Sequence, residues 1–302
     1  MRRRLVLVAR LLGMAIFVGF FARTADWAGI RVALGEARYW PWLFLAILAY
    51  AVGQFGNGLA WRHLLQDAGV KVSIGDMVRY DLGSVFWSTV VPGGVAGEVV
   101  KGVRLTGHGA AAGTVAYAII TARLLGGVAA CLLALALLPW ARTAVGPLAP
   151  VVLTATLGVG VGGLVALRLA PPLLRRLGVP EGRFPSARAM TVSGASTLIT
   201  HVSFAAVYSL CFRAAGAPLG LADGAWICTA TSVAQMLPIT VGGFGVRELT
   251  ISRLGGVVLP TGRAEAAALL VTATFFVAVL AGAMVELGRV RAAGRLSAGT
   301  AP

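Results

Sequence analysis

The chain has 302 residues, 58% hydrophobic and only 12% charged, with a formal net charge of +15. This balance excludes a soluble domain with a large core and predicts an all-α polytopic membrane protein, one transmembrane domain over 1–302 with no soluble catalytic domain. It also argues against nucleic-acid binding, because the basic residues stand at the ends of apolar segments, where they set topology and meet anionic headgroups.

Met1-Arg2-Arg3-Arg4 opens the chain and an apolar run follows at 5–22. The arrangement resembles a signal peptide, but Arg10 interrupts the apolar region and Phe20-Phe21-Ala22-Arg23 makes a poor cleavage site, so a retained first span is expected. Further full spans are expected at 42–60, 113–138, 148–169, 190–212 and 266–287, about six in all. Residues 82–97 are too short for a span and rich in Gly, Ser and Pro. Residues 224–246 are long enough, but Pro238 and three glycines break the last third.

Charge arbitrates between topologies. With a cytoplasmic N-terminus and both broken segments re-entrant, most basic residues fall on the cytoplasmic side: the N-terminal arginines, the cluster from Arg62 to Arg104, that from Arg168 to Arg188, and Arg289, Arg291 and Arg295. Both termini are then cytoplasmic. The first broken segment enters from the cytoplasm and the second from outside, as in an inverted repeat with halves 1–140 and 148–302.

The two broken segments carry the candidate site. In the first, Pro92 ends an apolar stretch, and Gly93, Gly94 and Gly97 permit a sharp turn and close approach. Glu98, Lys101 and Arg104 follow at helical spacing. Lys101 and Arg104 suit an anionic headgroup, helped by the exposed N–H groups of a helix start. Glu98 can pair with Lys101 at i, i+3, or accept a proton or a cationic group. The plainer reading is a tight connection with an interfacial charge pair.

The second segment repeats the logic with Pro238, Gly242, Gly243 and Gly245, then Arg247 and Glu248. Neighbouring residues on a helix do not face each other, so these two charges take different partners. One partner open to Glu248 is a cation from the other half. The plainer reading is an external loop with ordinary charges.

Arg123 stands several residues inside a span and must be paired, snorkel or face water. Glu286 is expected at the interface. His201, Gln54, Asn57 and Gln235 read as interhelical hydrogen-bonding residues. Gly158 and Gly162 form a G-x-x-x-G pattern, a sign of close helix packing that leaves homo-oligomerisation open. Trp40, Trp42, Trp61 and Trp140 stand at expected span ends, as interfacial anchors do. Cys131, Cys211 and Cys228 lack C-x-x-C spacing and read as small buried hydrophobes. The three histidines lack ligand spacing, so no metal or cofactor is expected.

Pro92-Gly93-Gly94-Val95-Ala96-Gly97-Glu98-Val99-Val100-Lys101 with Leu105 resembles the first signature of the lysylphosphatidylglycerol synthase transmembrane-domain family, the flippase-like membrane proteins. Residues 237–248, Leu-Pro-Ile-Thr-Val-Gly-Gly-Phe-Gly-Val-Arg-Glu, resemble its second signature closely, and Arg123-Leu124-Leu125-Gly126 is similar to a third. The resemblance implies a bacterial inner-membrane protein that handles lipids, with a separate soluble domain making the modified lipid in the best-known relatives. Other relatives are tied to glycolipids, polyprenyl-linked sugars or hopanoids. The chain departs from the pattern at Ala122, where an acidic residue is expected, and at Glu98 and Lys101, where Asp and Arg are more usual. No synthase domain follows within these residues, so the chain is not expected to be a complete synthase.

The leading expectation is a lipid flippase. Lys101, Arg104, Arg123 and Arg247 would hold a phosphate, and Glu98 and Glu248 would balance that charge or meet a cationic headgroup. The lipid would be anionic, aminoacylated, glycosylated or polyprenyl-linked. A second reading is a non-transporting membrane partner of a separate lipid-modifying enzyme, a glycosyltransferase or aminoacyltransferase. A membrane-embedded transferase ranks third, since no carboxylates are spaced as D-x-D or E-x-x-E.

Overall fold

The computed structural model describes residues 19–36, 39–90, 96–107, 109–176, 185–236 and 243–298. Its helices are α1 Trp27–Glu36, α2 Tyr39–Asp67, α3 Ile74–Val90, α4 Ala96–Gly107 and α5 Ala112–Leu137, then α6 Ala149–Arg176, α7 Ala187–Ala214, α8 Leu221–Gln235, α9 Val246–Gly255 and α10 Thr261–Ala298. Residues 19–24 are also helical, and no strand occurs among the described residues. Five helices are long and apolar enough to cross a membrane: α2, α5 with the 3-10 turn Leu138–Trp140, the Ala149–Leu169 part of α6, α7, and the Thr261–Arg291 part of α10. The protein is therefore a multi-pass, all-helical membrane protein. Most of the span expected at 5–22 lies outside the described residues.

A pattern of long, short, short, long recurs: α2, α3, α4, α5 and then α7, α8, α9, α10. The four short helices have 17, 12, 15 and 10 residues, under the ~20 a helical span needs. α3 packs on α4, and α8 on α9, so each break joins two short helices into a packed pair. α3 ends at Val90 and α4 begins at Ala96, and α8 ends at Gln235 and α9 begins at Val246, so Pro92 and Pro238 fall in sequence between the helices of each pair.

The two long lead helices, α2 and α7, make the most extensive contact in the molecule. They run antiparallel. Gly53 meets the Phe204 ring and Gly56 meets Thr200. The Ser193 hydroxyl donates to the Ala60 carbonyl, and Ser186 donates to Asp67 from its Oγ at 2.6 Å and its N–H at 2.7 Å. Ser186 also caps α7, its Oγ accepting the Ala189 N–H at 3.2 Å, so one residue starts the helix and fixes it against α2.

The short pairs cross to the opposite half. The Leu82 carbonyl of α3 lies against Gly282 of α10. Correspondingly, Thr229 of α8 donates to the Ala130 carbonyl of α5 at 3.1 Å. Each half also has its own apolar core. In the first, Leu64, Leu65, Met77, Leu105 and Val115 pack together. In the second, Phe212, Trp226, Ile251 and Leu254 do so.

Three local expectations change. Trp61 is not an interfacial anchor: it is buried in the first core, whereas Trp40 and Trp140 are exposed. Gly158 and Gly162 face open space, and it is Gly160 and Gly163 that meet α5, at Cys131 and Val128. The helix face toward α5 is set one turn-phase away from the G-x-x-x-G pair. The three cysteines are free and buried.

Candidate functional site

A cavity of about 200 Å³ opens among α2, α3, α4 and α5. Gln54, Asn57 and Trp61 reach it from α2, and Asp81, Ser84 and Val85 from α3. Glu98 and Lys101 enter from α4, and Ala122 and Arg123 from α5. Two carboxylates and two cations thus share one small space.

Lys101 is buried and donates to Asp81 Oδ1, with its Nζ 3.6 Å from the centroid of the Trp61 ring. Trp61 therefore supplies a π-face to the cation at the floor of the cavity. Asp81 Oδ2 has no hydrogen-bond partner in bonding geometry among the described residues, although the Asn57 amide flanks the same carboxylate. A buried oxygen of this kind is a ready acceptor for a ligand donor.

Glu98 does not pair with Lys101. Its two oxygens accept from Arg123 Nε, each at 2.6 Å. The desolvated Lys101 ammonium takes the carboxylate buried beside it, and Glu98, in the first turn of α4, meets α5 instead. Arg123 is thus a paired intramembrane cation, with about half of its side chain accessible.

Gly97 fixes this geometry. A Cβ there would strike the Ser84 carbonyl and the Ser84 and Ser88 hydroxyls, so only glycine lets α4 lie directly on α3. Arg104 leaves the cavity and pairs with Glu286 of α10 at 2.5 Å. Glu286 is thereby a tie between the two halves, with 13% of its side chain exposed.

The second half uses the same positions differently. Among the described residues Glu248 takes no cation from the first half. Its Oε2 accepts the Gly245 N–H at 2.6 Å and its Oε1 accepts the Thr272 hydroxyl. The carboxylate closes the start of α9, where orphan N–H groups attract it. Gly245, at φ +84°, makes the turn into that helix. Arg247 is buried, 4.2 Å from the Phe275 ring centroid and 5.7 Å from that of Phe244. Gly243 turns back against the Gln235 side chain. Pro92, Gly93, Gly94, Pro238 and Gly242 lie outside the described residues.

Of the expected phosphate-holding cations, Lys101 and Arg123 share the cavity, while Arg104 and Arg247 do not line it. A polar path leads from the cavity toward Arg247. Gln54 donates to the Tyr50 hydroxyl at 2.9 Å, and Tyr50 lies within electrostatic reach of both Asp81 and Arg247. The His201 ring of α7 lies against Gly126 of α5, so it stands between those two helices.

Asp81 is the residue sequence reasoning missed. The first broken segment was bounded at residue 82, so Asp81 fell just outside it. A carboxylate between Tyr80 and Leu82, ahead of an apolar stretch, was the available signal.

Superposing the element order of the halves isolates what is special. Glu98 is the third residue of α4 and Glu248 the third of α9. Their partners, Arg123 and Thr272, lie 25 and 24 residues further on, at the same place in α5 and α10. Asp81 and Cys228 are each eighth in α3 and α8. Lys101 and Ile251 are each sixth in α4 and α9. The charged cavity of the first half thus corresponds to buried Cys and Ile in the second.

The sequence profile described as the lysylphosphatidylglycerol synthase TM region matches residues 6–282. The chain belongs to this family. Membership agrees with the five candidate spans and makes the protein a membrane protein connected with lipid. No curated protein matches the chain. Among the described residues no group of three or more His, Cys, Asp and Glu is arranged for a metal ion.

Proposed function

We propose that the protein is a lipid flippase of the bacterial inner membrane, moving an anionic or modified phosphate-bearing lipid between leaflets. The supporting observation is the one-sided cavity. A buried Asp81–Lys101 pair is costly to desolvate, and well-packed apolar residues can replace such pairs without loss of stability. The second half has that apolar alternative, Cys228 and Ile251. Charge retained in the first half is therefore best accounted for by a ligand.

In this reading α3–α4 and α8–α9 are re-entrant pairs of two inverted halves. The antiparallel α2–α7 contact is what such inversion requires. A lipid phosphate enters beside Arg123 and Lys101, and donors of the headgroup meet Glu98 and the free Asp81 oxygen. Acyl chains remain in the bilayer while the headgroup crosses through the polar space. In this reading the transmembrane region makes no covalent change to the lipid.

The test is leaflet-resolved transport in proteoliposomes, with fluorescent anionic, aminoacylated and polyprenyl-phosphate lipids. Glu98→Gln is the informative variant. Gln keeps the length of Glu98 and an amide oxygen that can still accept from Arg123, so the variant removes charge and keeps the contact. Movement of one lipid class, lost in Glu98→Gln, is the expected result. Well-folded protein that moves none of these lipids would overturn the reading and leave the partner role.

A further inference from the structure

A second amphipathic site lies at the other end of α10 from the Arg104–Glu286 pair. Glu265 and Glu286 share that helix and are 21 residues apart (286 − 265). At the helical rise this is roughly 30 Å, one hydrocarbon thickness. Arg104–Glu286 and the Glu265 region therefore mark opposite boundaries of the membrane.

At the Glu265 boundary two hollows adjoin. One, of about 450 Å³, runs between α6, α8 and α9, with Val151, Ala155, Val233, Ala234 and Leu254 in its apolar walls. The other, of about 180 Å³, is polar and includes Thr24, Ser252, Thr261 and Glu265. Leu249 and Arg253 line both. The result is one continuous surface, apolar along its length, with Arg253 and Glu265 together at its mouth.

Arg253 is the residue that gives this surface a chemical preference. It is exposed and makes no hydrogen bond or close ion pair among the described residues, while its charge reaches the Glu265 carboxylate across the same hollow. The neighbouring hydroxyls are occupied locally. Ser252 donates to Leu249 and Thr24 to Phe20. The Glu265 carboxylate accepts the Asp26 N–H at 2.7 Å. A guanidinium with its fork of donors at membrane-boundary height fits a phosphodiester.

We propose that this surface binds a phospholipid, its phosphodiester on Arg253 and one acyl chain in the groove between α6 and α8. At about 450 Å³ the groove falls in the size range of small-molecule ligand pockets and, like them, is lined mainly by apolar side chains. The site is separate from the Lys101 cavity and needs no transport to be filled.

Photolabelling tests it. Full-length protein is reconstituted in phosphatidylcholine vesicles holding a minor fraction of phosphatidylglycerol with a diazirine on one acyl chain. A diacylglycerol with the same chain is the parallel probe. Labelled peptides are mapped by mass spectrometry. Both probes occupy both leaflets, so a failure of the flippase reading would not alter the outcome. The phosphatidylglycerol probe is expected to label Val151, Ala155 and Val233 well above Val161 and Val165 on the outward face of α6. Arg253→Gln is expected to lower that labelling about fivefold, the worth of one basic residue at an anionic lipid surface. Ala234→Trp fills the groove and is expected to remove the labelling, whatever the fate of Arg253→Gln. Equal labelling by the two probes, or groove labelling no higher than that of Val161 and Val165, would overturn the proposal.

Discussion

Asp81 and Lys101 form the most constrained pair in the molecule. Both are about 97% buried at the side chain, and each needs the other as its counter-charge. Asp81→Asn leaves the ammonium without its counter-charge, and a loss of about 3–5 kcal/mol is expected, read as a fall in Tm in detergent. The second half suggests the compensating change. Asp81→Cys with Lys101→Ile installs the residues found at the matching positions in α8 and α9. That double variant is expected to recover most of the lost stability and to transport no lipid. A double variant that folds and transports normally would remove the pair from the site.

The halves differ just as sharply at Glu98 and Glu248. Both are third in their helices, yet one faces an arginine and the other a hydroxyl and its own backbone. Glu248→Ala is therefore expected to weaken the start of α9 by about 1 kcal/mol, as loss of a helix cap does. Its effect should appear in thermal stability, while Glu98→Gln acts on transport.

At the level of elements, the short helix pairs depend on close approach. Gly97 sits where any side chain would meet the Ser84 backbone. Gly97→Val drives α3 and α4 apart and is expected to cost about 1–3 kcal/mol, the usual range for overpacking. Since α4 carries Glu98 and Lys101, the same change should abolish transport in whatever fraction still folds. Gly102, on the same helix, faces only Val115 and Ile119 at ordinary contact distance. Gly102→Ala is the matched control and should leave both Tm and transport nearly unchanged.

For the whole molecule, the decisive matter is direction. If the halves are inverted, the far ends of α4 and α9 open to opposite sides of the membrane. The buried native cysteines make a quiet background for a labelling test. Thr106→Cys and Pro260→Cys are both exposed positions. An impermeant maleimide applied from outside intact cells should label the Pro260 variant and spare the Thr106 variant until the membrane is opened. Labelling of both from one side would remove the inverted arrangement.

Much of this was legible in the sequence. Apolar runs of bilayer length produced the long helices, because an unsatisfied backbone in lipid leaves the chain little choice. Pro and Gly fixed the breaks between short helices, because these residues act on their own backbone. The pairing of charges was not legible. Glu98 and Lys101 stand three apart, as an ion pair would, yet each is taken by a residue from another helix. Ion pairing in a low-dielectric interior follows what is buried together, and burial is decided by the packing of α2, α3, α4 and α5. The sequence by itself determined where the chain crosses and where it breaks. Only the tertiary structure decided that Asp81 faces Lys101, that Glu248 serves its own helix, and that the charged cavity belongs to one half.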